Sequence, residues 1–364
     1  MSETVLFTGF PGFLGSRLLP RVLRRSPRAE AVCLVQSHFR EVAERRAEEL
    51  VAADDGFAGR IRLVEGDITR PDLGLGAQRG ELVSSVREVF HLAAVYDLEV
   101  SRSVGMRVNV DGTRHVLDLC ADATDLQRLH YVSTCYVSGR WPGIFREEDL
   151  VMGQRFNNHY EETKYLAEVL VRERAAAGLP VTTYRPSVVG GDSTTGTTQK
   201  YDGPYFLVRW LLKQPRVAFV PMVGDPDGYR FNIVPRDYVI DALDALAARD
   251  DTVGGTYALA DPLPYTVAEM LELFERVTRR RVITFRLPLG LAQWALRHVP
   301  GVQRLMQIPP AAVAYLSHPT HYTNDAAAPL LAEEGVSLPD RAGWFAAMAE
   351  FVRANPDVTS EAMA

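Results

Sequence analysis

The sequence predicts an α/β protein: a doubly wound parallel sheet followed by a smaller, mostly helical C-terminal lobe. Two observations carry that expectation. Short runs rich in branched and aromatic residues alternate with segments long enough for crossover helices, the pattern of parallel strands covered on both faces. A glycine-rich string, Thr8-Gly9-Phe10-Pro11-Gly12-Phe13-Leu14-Gly15, stands between the first such run and the first helical stretch. With 364 residues, 47% of them hydrophobic and 24% charged, the chain is long enough for one large core and an appended lobe.

The elements follow in order. Val5-Leu6-Phe7 reads as the first strand and Ser16-Arg17-Leu18-Leu19 as the start of the first helix. Val32 to Val35, Ile61 to Val64, Val89 to Leu92, Leu129 to Val132 and Val181 to Tyr184 read as the next five strands. Texture changes after Pro186, with a polar loop from Gly190 to Thr198 and an aromatic-containing helix near Tyr205 to Leu212. Phe231 to Val234 and Tyr257 to Leu259 look like further strands, and from about Pro264 the chain becomes mostly helical. This divides the chain into a Rossmann-like dinucleotide-binding domain, 1–187 with 229–260, and a substrate lobe, 188–228 with 261–364, facing each other across a cleft. Neither an internal repeat nor a low-complexity linker interrupts the pattern.

Composition excludes several classes of function. A net charge of −6 gives no general reason to expect nucleic acid, whose binders usually carry a basic face. Cys33, Cys120 and Cys135 are odd in number, widely spaced and set among apolar residues, so they read as buried thiols of a reducing compartment. No signal segment opens the chain and no apolar run spans a bilayer, so the cytoplasm is the expected location. The eight histidines show no metal-ligand spacing, and no metal site is expected.

The glycine string has the context that a dinucleotide site needs. Gly9 permits a tight turn, Gly12 has no Cβ to hold the backbone away from a pyrophosphate, and Gly15 lets the helix pack closely on the strand. The helix N-terminus then offers N–H groups and a partial positive charge to the phosphates. A second string, Tyr160-Glu161-Glu162-Thr163-Lys164, sets a phenol and an amine one helical turn apart on the same face. An ammonium beside a phenol lowers its pKa, which makes Tyr160 the candidate general acid or base.

These strings resemble the extended short-chain dehydrogenase/reductases, and the resemblance covers most of the chain. Seven marks stand in order: Thr8 to Gly15, Gly66-Asp67-Ile68, His91-Leu92-Ala93-Ala94, Asn109-Val110-Asp111-Gly112-Thr113, Val132-Ser133-Thr134, Tyr160 to Lys164, and Arg185-Pro186. By that resemblance Tyr160 moves the proton, Lys164 also binds the nicotinamide ribose, and Thr134, with Ser133 as the fallback, hydrogen-bonds the reacting oxygen. Asn109 matches the family's assisting asparagine, in a catalytic or only a structural duty. Asp67 touches adenine or caps a turn, and Ile68, Leu92, Ala93, Ala94, Pro186, Val188 and Val189 complete the expected cofactor wall.

Cofactor choice turns on the end of the second strand, where a carboxylate would select NAD(H). The chain has Val35-Gln36-Ser37-His38-Phe39-Arg40 there: no carboxylate repels a 2′-phosphate, and Ser37, His38 and Arg40 are able to bind one. Relatives using NADP(H) commonly carry Arg where Gln36 sits. NADP(H) is favoured over NAD(H).

Among extended relatives, the stretch from Val89 to Tyr96, the Val132-to-Val137 strand end and the loop from Gly191 to Gly203 look most like fatty acyl-CoA reductases and thioester reductase domains. This implies hydride transfer to the carbonyl of an acyl thioester, bound to coenzyme A or a carrier protein, or of an aldehyde or ketone. Leu287 to Leu296, continuing to Val302, Leu305, Met306 and Ile308, lines an acyl pocket, touches a membrane surface or covers its own lobe. Lys200, Arg209, Lys213 and Arg216 are candidates for the phosphates of coenzyme A, a pantetheine arm or a nucleotide sugar. Two other readings stand beside this one: an NAD-dependent nucleotide-sugar epimerase or dehydratase, and a non-catalytic dinucleotide-binding module. The family also admits a homodimer.

Overall fold

A computed structural model of the chain describes residues 3–199, 201, 203–222, 225–299 and 310–358. Its centre is a seven-stranded sheet of β1 (Glu3–Thr8), β2 (Ala29–Val35), β3 (Ile61–Glu65), β4 (Val86–His91), β5 (Arg128–Val132), β7 (Val181–Pro186) and β11 (Thr256–Leu259). The spatial order is β11-β7-β5-β4-β1-β2-β3 and every pairing is parallel. The chain winds outward from β1 through β2 to β3, then returns to place β4 on the other side of β1. That reversal opens a crevice beyond the carboxyl ends of β1 and β4, where an open α/β sheet binds its ligand.

Both faces of the sheet are buried, so its strands read as nearly continuous apolar runs. Their period of two divides the side chains between two cores. Val5, Phe7, Ala31, Cys33 and Val35 pack against α1 (Gly15–Arg25), α2 (Arg40–Ala53) and α8 (Arg236–Ala247). Leu6, Val32, Leu34 and Val89 pack against α3 (Gln78–Ser85), α5 (Gly112–Asp122) and α6 (His159–Ala176).

The second lobe has its own core of Tyr201, Tyr205, Phe274, Phe345 and their neighbours, around α7 (Pro204–Lys213), α9 (Val267–Thr278) and the C-terminal helix Arg341–Ala354. Thr266 and Glu269 cap α9 reciprocally, each side chain accepting the other's backbone N–H. This region holds more strand than its sequence suggests. β12 (Arg281–Arg286) pairs with β9 (Val217–Met222), and β13 (Thr320–Tyr322) pairs with β6 (Gly143–Phe145), each across a long sequence separation that local patterning does not reveal. The run expected at Phe231 to Val234 is β10 (Ile233–Pro235), which pairs with β8 (Val188–Gly190) outside the main sheet. Helix Ala327–Glu333, assigned by sequence to the second lobe, sends Ala327 and Leu331 into the first core. Among the described residues, no helix is long and apolar enough to cross a membrane.

One buried ion pair ties β7 to α6. Arg185 Nη2 lies 2.5 Å from Glu168 Oε1, and both side chains are almost wholly buried. The guanidinium also donates to the carbonyls of Arg146, Glu147 and Asp149, so its remaining donors are satisfied. Replacing Glu168 by Leu strands the Arg185 charge in the core and should destabilise the fold by about 3–5 kcal/mol, read as the shift of a urea unfolding curve.

Candidate functional site

A cleft of about 1140 Å³ runs from the glycine loop, past the ends of β4 and β5, into the second lobe. The loop from Gly9 to Gly15 forms one end. A Cβ on Gly15 would stand 2.5 Å from the Gly9 carbonyl oxygen, so only glycine lets α1 start this close to the strand end. Gly9 has φ +94°, and a Cβ there would meet Ala93 N at 2.9 Å, which locks the loop against the end of β4. At Gly12 the loop's own backbone also forbids a side chain: a Cβ would lie 2.7 Å from the Gly9 carbonyl oxygen. This tight concave turn, opening onto a helix N-terminus, fits a dinucleotide pyrophosphate.

The structure separates the expected cofactor residues into two sets. Phe10, Pro11, Phe13, Leu14, Gln36, Ile68, Leu92, Ala93, Ala94, Pro186, Val188 and Val189 line the cleft. Thr8 is buried behind it, bonded to His91 Nδ1 at 2.7 Å, and His91 reaches Thr113 at 3.0 Å. Burial, helped by the Lys164 charge, pushes the His91 imidazole down to about 3, so it stays neutral and structural. Asp67 caps its own turn, accepting the Thr69 N–H at 2.8 Å, and the cleft wall at that point is Ile68. Burial raises the Asp67 carboxyl, but bonds from Thr69 and Gln36 and the Arg70 charge more than offset it and leave it below the usual carboxylate range. Ser37 and His38 are exposed just beyond β2, and Arg40 pairs with Glu44 at 2.6 Å.

Helix α6 brings Tyr160 and Lys164 to the cleft. Asn158 caps it, accepting the Glu161 N–H at 3.0 Å. Tyr160 hydrogen-bonds Thr134. Ser133 instead donates to Glu168 and is held by the buried ion pair, so Thr134 is the hydroxyl that faces the phenol. The electrostatics differ from the sequence expectation. Lys164 Nζ donates to the Val132 carbonyl at 2.8 Å and sits 4.7 Å over the Tyr131 ring. Burial therefore dominates at Tyr160: its phenol is pushed up, opposed by the Thr134 bond and reinforced by the Glu161 charge. Burial also pushes the Lys164 amine down to about 8, against the pull of Glu168. A phenol shifted upward remains protonated at neutral pH.

Asn109 does not line the cleft. It sits in a π-helical turn, Met106–Asp111, a form that often marks functional segments. Its side chain accepts the Val95 N–H at 2.9 Å and donates to Thr163 Oγ1 at 3.0 Å, pinning the loop after β4 to α6 one residue before Lys164.

Three aromatics to which the sequence assigns no role of their own stand beside Tyr160 or in the cleft wall. Tyr96 packs edge-on against Tyr160 at 5.1 Å between ring centroids. Tyr136 and Tyr315 also line the cleft and meet edge-on at 4.8 Å. Tyr315 OH accepts from Asn158 Nδ2 at 2.9 Å and bonds the buried Glu161 carboxyl, tying the second lobe to the start of α6. Only the Val-Ser-Thr-Cys-Tyr string hinted at Tyr136; nothing local marks Tyr315, which is 155 residues beyond Tyr160 in the chain.

The far half of the cleft is apolar. Phe206, Trp210, Met222, Phe231, Met270 and Leu271 form its wall, and Leu287, Ala292 and Ala295 from the expected acyl-pocket stretch join them. The charged residues of the whole lining, among the described residues, are Asp97, Glu99 and Lys164. The expected phosphate-binding cations are not gathered there. Arg209 is buried against Tyr201 and donates to the Val358 carbonyl at 3.2 Å, while Lys213 and Arg216 are exposed at the end of α7 and beyond. Lys200, Val302, Leu305, Met306 and Ile308 lie outside the described residues.

A glycine loop at the switch point of a parallel sheet, joined to a Tyr-x-x-x-Lys helix beside it, defines an extended short-chain dehydrogenase/reductase. Residues 7–243 match the family described as male sterility protein, and the chain belongs to that family. The chain is 30% identical to the L-2-aminoadipate reductase large subunit of Penicillium chrysogenum over 272 residues, 69% of this chain and 19% of that protein. It is 26% identical over 281 residues to the fatty acyl-CoA reductase wat of Drosophila melanogaster, covering 67% of this chain and 53% of that one. It therefore spans only part of these curated relatives. The crystal structure of the terminal R domain from the myxalamid PKS-NRPS biosynthetic pathway is similar with a TM-score of 0.82 and 27% identity, over 98% of this chain and 92% of that chain.

Two measurements test the site. Gly12→Val should abolish binding of a nicotinamide dinucleotide in a fluorescence titration, because the loop cannot close around a branched side chain. Lys164→Met should raise thermal stability at neutral pH while weakening dinucleotide binding. The folded amine titrates near 8 and the free one near 10.5, so the charged form is penalised on folding. The gain should be full below about pH 8 and gone above about 10.5.

Proposed function

We propose that this protein reduces acyl thioesters with a nicotinamide dinucleotide. The observation that carries this reading is the apolar half of the cleft, which continues directly from Tyr160 and Thr134 and suits an uncharged acyl chain. Gly9 to Gly15 would hold the pyrophosphate, and Gln36 and Ile68 the adenosine end. The bound nicotinamide supplies hydride to the thioester carbonyl carbon.

Thr134 and Tyr160 hold the carbonyl oxygen between two hydroxyls, and Tyr160 donates its proton as negative charge develops there. The phenol is protonated at neutral pH, the form from which a donor starts. Lys164 orients the nicotinamide ribose from its seat at the Val132 carbonyl. The resulting hemithioacetal releases thiol, so thioester, NAD(P)H and a proton give aldehyde, thiol and NAD(P)⁺. Asn109 acts by position, holding the β4 loop to α6.

NADP(H) is the preferred cofactor in this proposal. The Arg40–Glu44 pair is exposed and weak, so a 2′-phosphate would capture Arg40 together with Ser37 and His38. Delivery of the acyl group on coenzyme A or on a carrier protein, and a homodimer, belong to the same reading. A nucleotide-sugar substrate suits the cleft less well, because its hydroxyls and diphosphate would face an apolar wall.

The test follows nicotinamide absorbance with NADPH or NADH and a panel of acyl-CoA thioesters, aldehydes and ketones. Thioester-dependent oxidation, faster with NADPH, is expected; silence with every thioester overturns the reading. Tyr160→Phe should lower turnover by about 10²-fold or more with dinucleotide affinity nearly unchanged. Full activity in that variant removes Tyr160 from the proton-transfer role.

A further inference from the structure

We infer that the outer face of the β9–β12 flap, with α10 (Leu289–His298), docks on an anionic lipid surface and brings the mouth of the cleft to it. The pleat of β9 sends Ala218, Val220 and Met222 into the second core. Its alternate residues face outward, where a half-buried strand ordinarily carries polar side chains. Here they are Val217 and Phe219, and Phe219 pairs in register with Ile283 of β12. Phe219 is 54% exposed, Phe285 47% and, on α10, Trp294 53%. Of the twelve exposed large hydrophobic side chains among the described residues, four lie on β9 and β12 and three on α10 or its C-cap. That concentration marks an interaction surface rather than the scattered apolar residues of an ordinary exterior.

Charge selects the occupant. Residues 276 to 299 contain six arginines and no Asp or Glu, in a chain whose net charge is −6. Arg281 starts β12 in register with the outward Val217, Arg216 precedes β9, and Arg297 lies in the last turn of α10; all three are exposed. Exposed aromatic and aliphatic side chains with exposed arginines on the same elements match the boundary between acyl chains and anionic headgroups. A second copy of the chain would bring like charges together across the contact. The flap also leads inward: Phe285 is exposed and at the same time lines the cleft, followed by Leu287 and Ala292. An acyl group can thus pass from a lipid surface toward Tyr160 along a continuous apolar wall. This delivery step rests on the thioester reading above, whereas the docking rests on the surface alone.

The test uses the full chain and sedimentation with vesicles of phosphatidylcholine, alone or with about one third phosphatidylglycerol. Binding should be confined to the anionic vesicles, weaken as salt rises, and shift the Trp294 emission to shorter wavelength. Phe219→Ser with Trp294→Ser should lower partitioning roughly tenfold or more. Arg281→Glu with Arg297→Glu should lower it at least roughly fivefold for each arginine removed. Neither pair should change turnover of a soluble short-chain thioester. Absence of binding to anionic vesicles, equal binding to neutral ones, or unchanged partitioning of both variants overturns the inference. So does loss, in the same variants, of binding to an acidic carrier protein or of a dimer when vesicles are not bound at all. Vesicle binding as expected without any thioester turnover leaves the docking face in place and removes the thioester reading.

Discussion

The amine of Lys164, buried beneath the end of β5 and held by the Val132 carbonyl, is the constraint about which the site is arranged. Burying a charge is unfavourable unless partners surround it, and here three of them come from β5 and α6. Val132 supplies a carbonyl from β5, Tyr131 a ring face, and Glu168 a negative charge one further turn along α6. Glu168 is itself fixed by Arg185 of β7 and by Ser133. The ion pair that joins helix to sheet therefore also decides which hydroxyl, Thr134 rather than Ser133, is left to face Tyr160.

The same packing sets the chemical character of the phenol. Tyr160 is surrounded by Tyr96, Thr134 and the buried Glu161, with the Lys164 ammonium directed elsewhere. Its proton is held at neutral pH, so the neutral phenol is the form that faces the cleft. Tyr315 reaches across from the second lobe to Asn158 and Glu161, so the wall of the apolar cleft and the start of α6 form one hydrogen-bonded unit. The second lobe thus has two apolar faces with different duties. One lines the cleft, and the other, on β9 and β12, faces out.

Much of the first lobe was legible in the sequence. Val5, Leu6 and Phe7, and the runs at Val32, Ile61, Leu129 and Val181, are strands as their composition predicts, because a strand buried on both faces needs branched and aromatic residues throughout. Gly9 and Gly15 stand at turns where a Cβ has no room. The second lobe was less legible. β12 pairs with β9 across some sixty residues, and β13 with β6 across far more, and no short window records such partners.

By itself the sequence determined what local chemistry dictates: the strand-turn-helix that cradles a phosphate, the helical spacing that puts Tyr160 and Lys164 on one face, and the run of arginines without acids from 276 to 299. Only the tertiary structure decided which groups neutralise one another. It turned Lys164 toward Val132, gave Ser133 to Glu168, made Asn109 and Asp67 supports for their own loops, and brought Tyr315 to α6. It also decided which apolar residues line the cleft and which are exposed. Burial and hydrogen-bond partnership arise from segments far apart in the chain, and a side chain's charge and proton affinity follow from those partners rather than from its neighbours in sequence.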